Sequence, residues 1–223
     1  MNEEVIKVKN KYKKMKRIIL IILLVAILIY VGNLLIAALR IQRVFINNVN
    51  IDLGNNYKHT IIDGNVETIT YHKDKITNVT YANGKSGVYT NDKEYYFLSY
   101  EEKEYIRRDD IKQFVASSTE KMSLLNFWGT FDDDYIYSLK DMIVLAFQSN
   151  ARFTTEIIEG QKYEVVDMKG LGYTLWINAD NNFIEKENMQ GQIIKQKIEK
   201  NVVTDEDVKA PWERGFELKE MEK

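Results

Sequence analysis

Residues Ile18 to Leu39, IILIILLVAILIYVGNLLIAAL, form one almost unbroken apolar run, and a run of this length has few possible fates. As a helix rising about 1.5 Å per residue it extends roughly 33 Å, enough to cross a hydrocarbon core about 30 Å thick. Sixteen of its residues are Leu, Ile or Val. At roughly −0.3 to −0.6 kcal/mol each, their insertion gains about 5 to 10 kcal/mol, which Asn33 alone does not cancel. Seven Lys and Arg residues lie between Lys7 and Arg17, and only Arg40 and Arg43 follow closely. That asymmetry predicts a single-pass protein of the cell membrane, with a cytoplasmic N-terminus and an extracellular C-terminal domain. The basic tail reads as an orientation signal, with binding to anionic lipid as the alternative. A cleavable signal peptide is the rival for the run itself, but the run is long for one and no A-x-A site closes it.

The predicted division is a basic tail at 1–17, a transmembrane helix at 18–39 and a linker or edge element at 40–60. A domain at 61–208 and a charged C-terminal tail at 209–223 follow. The part from Val44 onward is expected to fold without the membrane. Of 31 basic and 33 acidic side chains, nine and two precede Val44, which leaves 22 basic and 31 acidic outside. This acidic balance argues against a nucleic-acid partner, because phosphate binding needs a basic face. The absence of cysteine excludes disulfides, thiol nucleophiles and thiolate metal sites. The outer part must hold together by packing.

From Val66 the sequence alternates with period two, punctuated by turn residues. VETITYH (66–72), KITNVTYA (75–82), KSGVYT (85–90) and EYYFLSY (94–100) read as strands of an antiparallel meander, with Asn83-Gly84 the strongest hairpin signal. The period then becomes helical. Ile111, Phe114, Val115, Ser118, Met122 and Leu125 share one stripe behind Asp109 and Asp110, and Ile136, Leu139, Ile143, Ala146 and Phe147 share a second behind Asp132 to Asp134. Phe127-Trp128-Gly129 between them reads as a turn or lid. Strands return at 151–158, 162–168, 172–178, 182–189 and 192–200. The order predicts an α+β fold: a curved antiparallel sheet, an open half-barrel, wrapped around helices and preceded by one N-terminal transmembrane helix.

Catalytic and metal chemistry is hard to place on this chain. Gly84-Lys85-Ser86 ends like a phosphate loop, but Val79 stands where the first glycine is required and the segment lies in a hairpin. His59 and His72, the only histidines, read as single surface residues. Asp132 to Asp134 read as helix-capping carboxylates, with a calcium site as the alternative. Asn78-Val79-Thr80 matches a glycosylation sequon. The expectation is a protein that is not an enzyme, with no cofactor, no metal and no catalytic residue. Aromatic residues make up 12% of the chain and fall on strands whose two faces both carry apolar groups. They form either an ordinary core or a face that accepts an acyl chain or a partner's apolar segment.

The run Lys162-Tyr163-Glu164-Val165-Val166, followed by Gly172-Tyr173-Thr174-Leu175-Trp176-Ile177-Asn178 and Phe183-Ile184-Glu185-Lys186, resembles the Y-x-x-W-I-D-x-x-T-x-L-x-x-K hairpin of the LolA/LolB-like superfamily. The block from Gly87-Val88-Tyr89 to Tyr105 and the closing segment Asn201 to Val208 are similar to other parts of such domains, the latter in Gram-positive membrane-anchored proteins. The resemblance covers about residues 60 to 208. It implies an unclosed antiparallel half-barrel with an apolar cavity, which in its carrier members holds lipoprotein acyl chains. The expected function is a membrane-anchored binding domain for an apolar ligand, a lipid or a lipidated protein, at the cell envelope. Tyr95, Phe97, Leu175 and Trp176 are the ligand-cavity candidates. The alternative is an interaction or stress-sensing module whose core is filled by its own side chains, and an envelope hydrolase ranks third.

Overall fold

Two antiparallel meanders meet along one seam to make a single twelve-stranded sheet. The computed structural model describes residues 3–48, 53–91, 93–108 and 138–219. The first meander comprises β1 (Asn56–Asp63), β2 (Val66–Lys73), β3 (Ile76–Tyr81), β4 (Ser86–Thr90), β5 (Tyr95–Ser99) and β6 (Glu104–Arg107). The second comprises β7 (Ala151–Ile158), β8 (Gln161–Met168), β9 (Tyr173–Asn178), β10 (Ile184–Met189) and β11 (Gln192–Lys200). The last strand returns to pair with the first, Tyr57 opposite Lys200 and Asp63 opposite Ile194. A two-residue β12 (Glu217–Leu218) adds to β6 in parallel, so the order is β12-β6-β5-β4-β3-β2-β1-β11-β10-β9-β8-β7. The expected α+β class and open, curved antiparallel sheet are both present.

The alternation that marks these strands sets their boundaries, and local turn chemistry joins them. Glu159 and Gly160 both have positive φ, 52° and 84°, as a two-residue hairpin matching the strand twist requires. Gly87 is needed for another reason: a Cβ there would lie 2.5 Å from the Val79 carbonyl oxygen, so β3 and β4 approach too closely for any side chain.

Helix α1 (Glu3–Asn48) contains the whole apolar run and continues past it. The stretch at 40–60 therefore holds the last turns of α1 and the start of β1, which lies at the centre of the sheet. The exposure of α1 changes along its length. From Ile18 to Val31 its large apolar side chains are exposed, whereas Leu34, Ala37, Ala38, Ile41 and Val44 are buried. These five join Met142 and Ala146 of α2 (Leu139–Gln148) and Val166, Met168, Tyr173, Leu175, Ile177 and Ile184 of the second meander in the main core. Burial of Leu34, Ile41 and Val44 stabilises this junction by roughly 1.5 to 3 kcal/mol each. A chain starting at Val44 lacks Leu34, Ala37, Ala38 and Ile41 of this cluster.

Polar contacts fix the same docking. Asn33 donates its amide to the Phe153 carbonyl at 3.2 Å and accepts from the Phe153 N–H at 3.3 Å, satisfying both outward backbone groups of Phe153 on the edge strand β7. The Tyr30 hydroxyl reaches Asn150 at 3.2 Å, and Arg40 pairs with Glu164 at 2.8 Å. α2 is capped by Ser138, whose oxygen accepts from the Asp141 N–H. It covers the Leu139 to Phe147 part of the second expected helix. The helix expected at Ile111 to Leu125, the Phe127-Trp128-Gly129 turn and the Asp132 to Asp134 cap lie outside the described residues.

The other face of the first meander is covered by the chain's end. Trp212 lies edge-on to Tyr89 and Tyr96, with centroids 5.9 and 5.5 Å apart, and Phe216 meets Tyr100 at 5.4 Å. Ala210, Pro211 and Phe216 are buried. The charged segment from residue 209 thus contributes apolar packing through Ala210, Pro211, Trp212 and Phe216.

Candidate functional site: a groove on the face opposite α1 and α2

Strand register sorts every side chain onto one of two faces. Leu175 pairs with Val166 and Glu187, so it points with them toward α1 and α2. Continuing from Glu187 through Ile194, Gln196, His59, Thr70, Val79 and Val88 to Phe97 stays on that face, where Tyr95 also lies. Trp176 points the other way. The structure therefore places three of the four candidates on the helix-bearing face and the fourth on its reverse, and does not bring them together. Leu175 is fully buried in the main core. Tyr95 is buried against Val88, and Phe97 is 40% exposed. Trp176 donates its indole N–H to Glu156 at 2.9 Å, and the Lys186 ammonium sits 4.1 Å from its ring centroid.

Beside Trp176, the curl of the sheet lets side chains of β1, β7, β8, β10 and β11 line one groove of about 700 Å³. Lys58, Lys186, Lys195 and Lys197 enter it, with Glu159, Glu185 and Glu199 among them; Ile62, Ile158 and Tyr163 supply apolar surface. Tyr163 donates to Glu185 at 2.8 Å, and Asn178 donates to the other oxygen of that carboxylate at 2.7 Å. Burial, followed by the neighbouring Glu185 carboxylate, pushes the Tyr163 hydroxyl up to about 12, so it stays a proton donor at neutral pH. Lys197 pairs with Glu199 at 2.9 Å and holds that carboxyl below its ordinary range. This floor carries charges of both signs and suits hydrogen bonding to a polar, extended partner.

The helix-bearing face contains a buried polar line. The Tyr173 hydroxyl donates to Glu187, Gln196 donates to the same carboxylate at 3.2 Å, and the Gln196 carbonyl oxygen meets His59 at 3.2 Å. All four side chains are buried. Burial pushes the Tyr173 hydroxyl strongly up and lowers His59. His72, also buried, stacks on Tyr57 and bonds Thr77 at 2.8 Å, and burial lowers its pKa too. Both histidines are thus interior, which corrects their reading as surface residues. Their strands pair on both sides, and neighbouring aromatic and threonine side chains close over them. Among the described residues, no three His, Asp or Glu side chains are grouped to hold a metal ion.

The groove lysines were not identified from sequence. Lys195, Lys197 and Glu199 alternate along β11, a pattern that marks a polar face, but their neighbour β1 lies more than 130 residues earlier. The chain matches no family profile and no curated protein. Solved structures with some likeness include an uncharacterized conserved protein from Thermus thermophilus. It is 11% identical, with a TM-score of 0.35, over 77% of this chain and 91% of its own. Another is a DUF1329 family protein from Desulfovibrio piger, 12% identical with a TM-score of 0.24, over 80% of this chain and 97% of its own. Overlaps this loose carry no functional argument.

Proposed function

We propose that this protein is a single-pass membrane protein whose C-terminal domain, outside the cytoplasm, binds a partner in the groove and performs no catalysis. The supporting observation is the contrast between the two faces. Under α1 and α2 the described residues pack closely, with Ala37, Ala38, Ile41, Val166 and Leu175 all at 0% exposure, while the reverse side of the second meander holds an open groove lined mainly by Lys and Glu. Among the described residues, the close packing beneath α1 and α2 favours the interaction module over the acyl-chain carrier. Orientation follows from the basic residues before Ile18. The partner that fits the groove is an extended polar segment able to pair with Lys58, Lys186 and Lys195.

A second reading, an apolar ligand such as a lipid or lipidated protein, is favoured by one observation: Phe97 remains 40% exposed on the apolar row it shares with Val79 and Val88. One pair of assays separates the two. A photoactivatable residue at Lys195 in intact cells should give a discrete adduct that disappears when Lys58 and Lys186 are both changed to Glu. Radiolabelled oleate should show no saturable binding to the purified full chain. Saturable oleate binding with no adduct at Lys195 would overturn the groove reading in favour of the lipid one.

A further inference from the structure

The part of α1 that stands clear of the domain is too short to cross a bilayer. Its exposed apolar stretch, Ile18 to Val31, is fourteen residues, or about 21 Å of helix. A hydrocarbon core of about 30 Å leaves roughly 9 Å uncovered. At the end of this stretch the helix is already attached to the domain, through Tyr30 to Asn150, Asn33 to Phe153 and the burial of Leu34. Shifting the helix outward would draw Lys13, Lys14, Lys16 and Arg17 into hydrocarbon, at up to about 2.5 to 3.5 kcal/mol per charge near its centre. Tilting would lengthen the path and widen the gap.

The domain end at this level has the surface to fill it. Asn150 follows the C-terminal turn of α2, where Phe147 is 67% exposed and Val144 45% exposed. Leu35, Ile36 and Leu39 are exposed on the side of α1 away from the core, and they continue the lipid-facing surface of the span without a break. In the adjoining β8–β9 turn, Gly170 donates its N–H to the Ser149 carbonyl, and Lys169 beside it is exposed. An apolar patch flanked by an exposed cation matches the boundary between acyl chains and phosphates.

From this geometry, and resting on the reading of α1 as a membrane span, we infer that the outer domain is seated in the membrane and does not hang from a tether. The α1–α2 end, led by Phe147, enters the outer leaflet. Interfacial helices sink about 5 to 10 Å, which matches the missing length. The seating fixes the domain's orientation, because β7 and β8 run alongside α1 from Asn33 to Arg40. Ile157, six residues along β7 from Ala151, then lies about 20 Å farther from the bilayer.

The chain has no cysteine, so single cysteines at Leu24, Phe147 and Ile157 can each carry one fluorophore in the full-length protein. The labelled proteins go into vesicles of phosphatidylglycerol and phosphatidylethanolamine containing nitroxide lipids, with iodide as the aqueous quencher. The expected result is deep-nitroxide quenching at Leu24 and shallow-nitroxide quenching at Phe147 at least about threefold above Ile157, with iodide reaching only Ile157. Quenching at Leu24 together with an iodide-accessible, lipid-insensitive Phe147 would overturn the seating and leave the span intact. Phe147 shielded from both quenchers would mean that a second copy covers it, which also overturns the inference. An unquenched Leu24 would overturn the span reading and the seating with it.

Discussion

Two apolar residues of α1 that look alike in sequence should behave differently when shortened. Ile41 is completely buried between α2 and the second meander, and Leu39 is 50% exposed on the opposite side of the same helix. Ile41→Ala removes buried methyl and methylene groups from a close-packed cluster and leaves a cavity beside its neighbours, at a cost of about 2 to 5 kcal/mol. For a cooperative unit of this size that corresponds to a fall in Tm of roughly 5 to 15 °C. Leu39→Ala removes lipid-facing or detergent-facing surface and should stay within about 0.5 kcal/mol. The assay is thermal unfolding of the full chain in lipid nanodiscs, followed by thermolysin sensitivity of the outer domain at graded temperatures. Equal melting of the two variants, or a greater loss for Leu39→Ala, would refute the assignment of the end of α1 to the domain core.

Further outcomes follow from the same structure. Gly87→Ala should destabilise by about 2 kcal/mol or more, because its Cβ would press on the Val79 carbonyl and the Tyr100 ring; denaturant melts check it, and a neutral result would mean that β3 and β4 separate at little cost. His59 and His72 are held neutral by burial, so their folded pKa values lie below the unfolded value near 6.5. The unfolded chain then binds more protons as pH falls, so their stabilisation is complete above about pH 6.5 and diminishes below it. Stability measured at pH 7.5 and 5.5 should show this loss, and His59→Gln should reduce it. Trp176→Ala should cost about 1 to 2 kcal/mol, less than a filled-core tryptophan, because it removes a half-buried ring under Lys186 and one hydrogen bond to Glu156. A loss of about 3 kcal/mol or more would place that ring in a core.

Local pattern in the sequence revealed most strands because each obeys one physical rule along its own length. The 151–158 and 192–200 segments alternate and end at turn residues, and the strands begin and end there. β1 was hidden because Tyr57, His59 and Ile61 on one face and Ile62 on the other break simple alternation. The part of α1 in the domain core was hidden for a related reason. Lipid and protein core both demand apolar side chains, so Leu34 and Leu35 look equivalent although one faces the core and the other faces outward. The groove depends on β11 returning to β1 and on sheet curl, neither of which any window of the sequence contains. Of the cavity candidates, Leu175 and Trp176 are adjacent in sequence and for that reason occupy opposite faces.

Scanning α1 with single nitroxide labels from Leu20 to Val44 in a bilayer, and reading oxygen accessibility at each position, tests most directly that one helix both spans the membrane and closes the domain. Accessibility should be high throughout the stretch to Val31. From Asn33 it should fall into a helical period, with minima at Leu34, Ala37, Ala38, Ile41 and Val44 and maxima at Leu35, Ile36 and Leu39. High accessibility without periodicity as far as Leu39 would show a free span carrying a tethered domain, and would contradict the account.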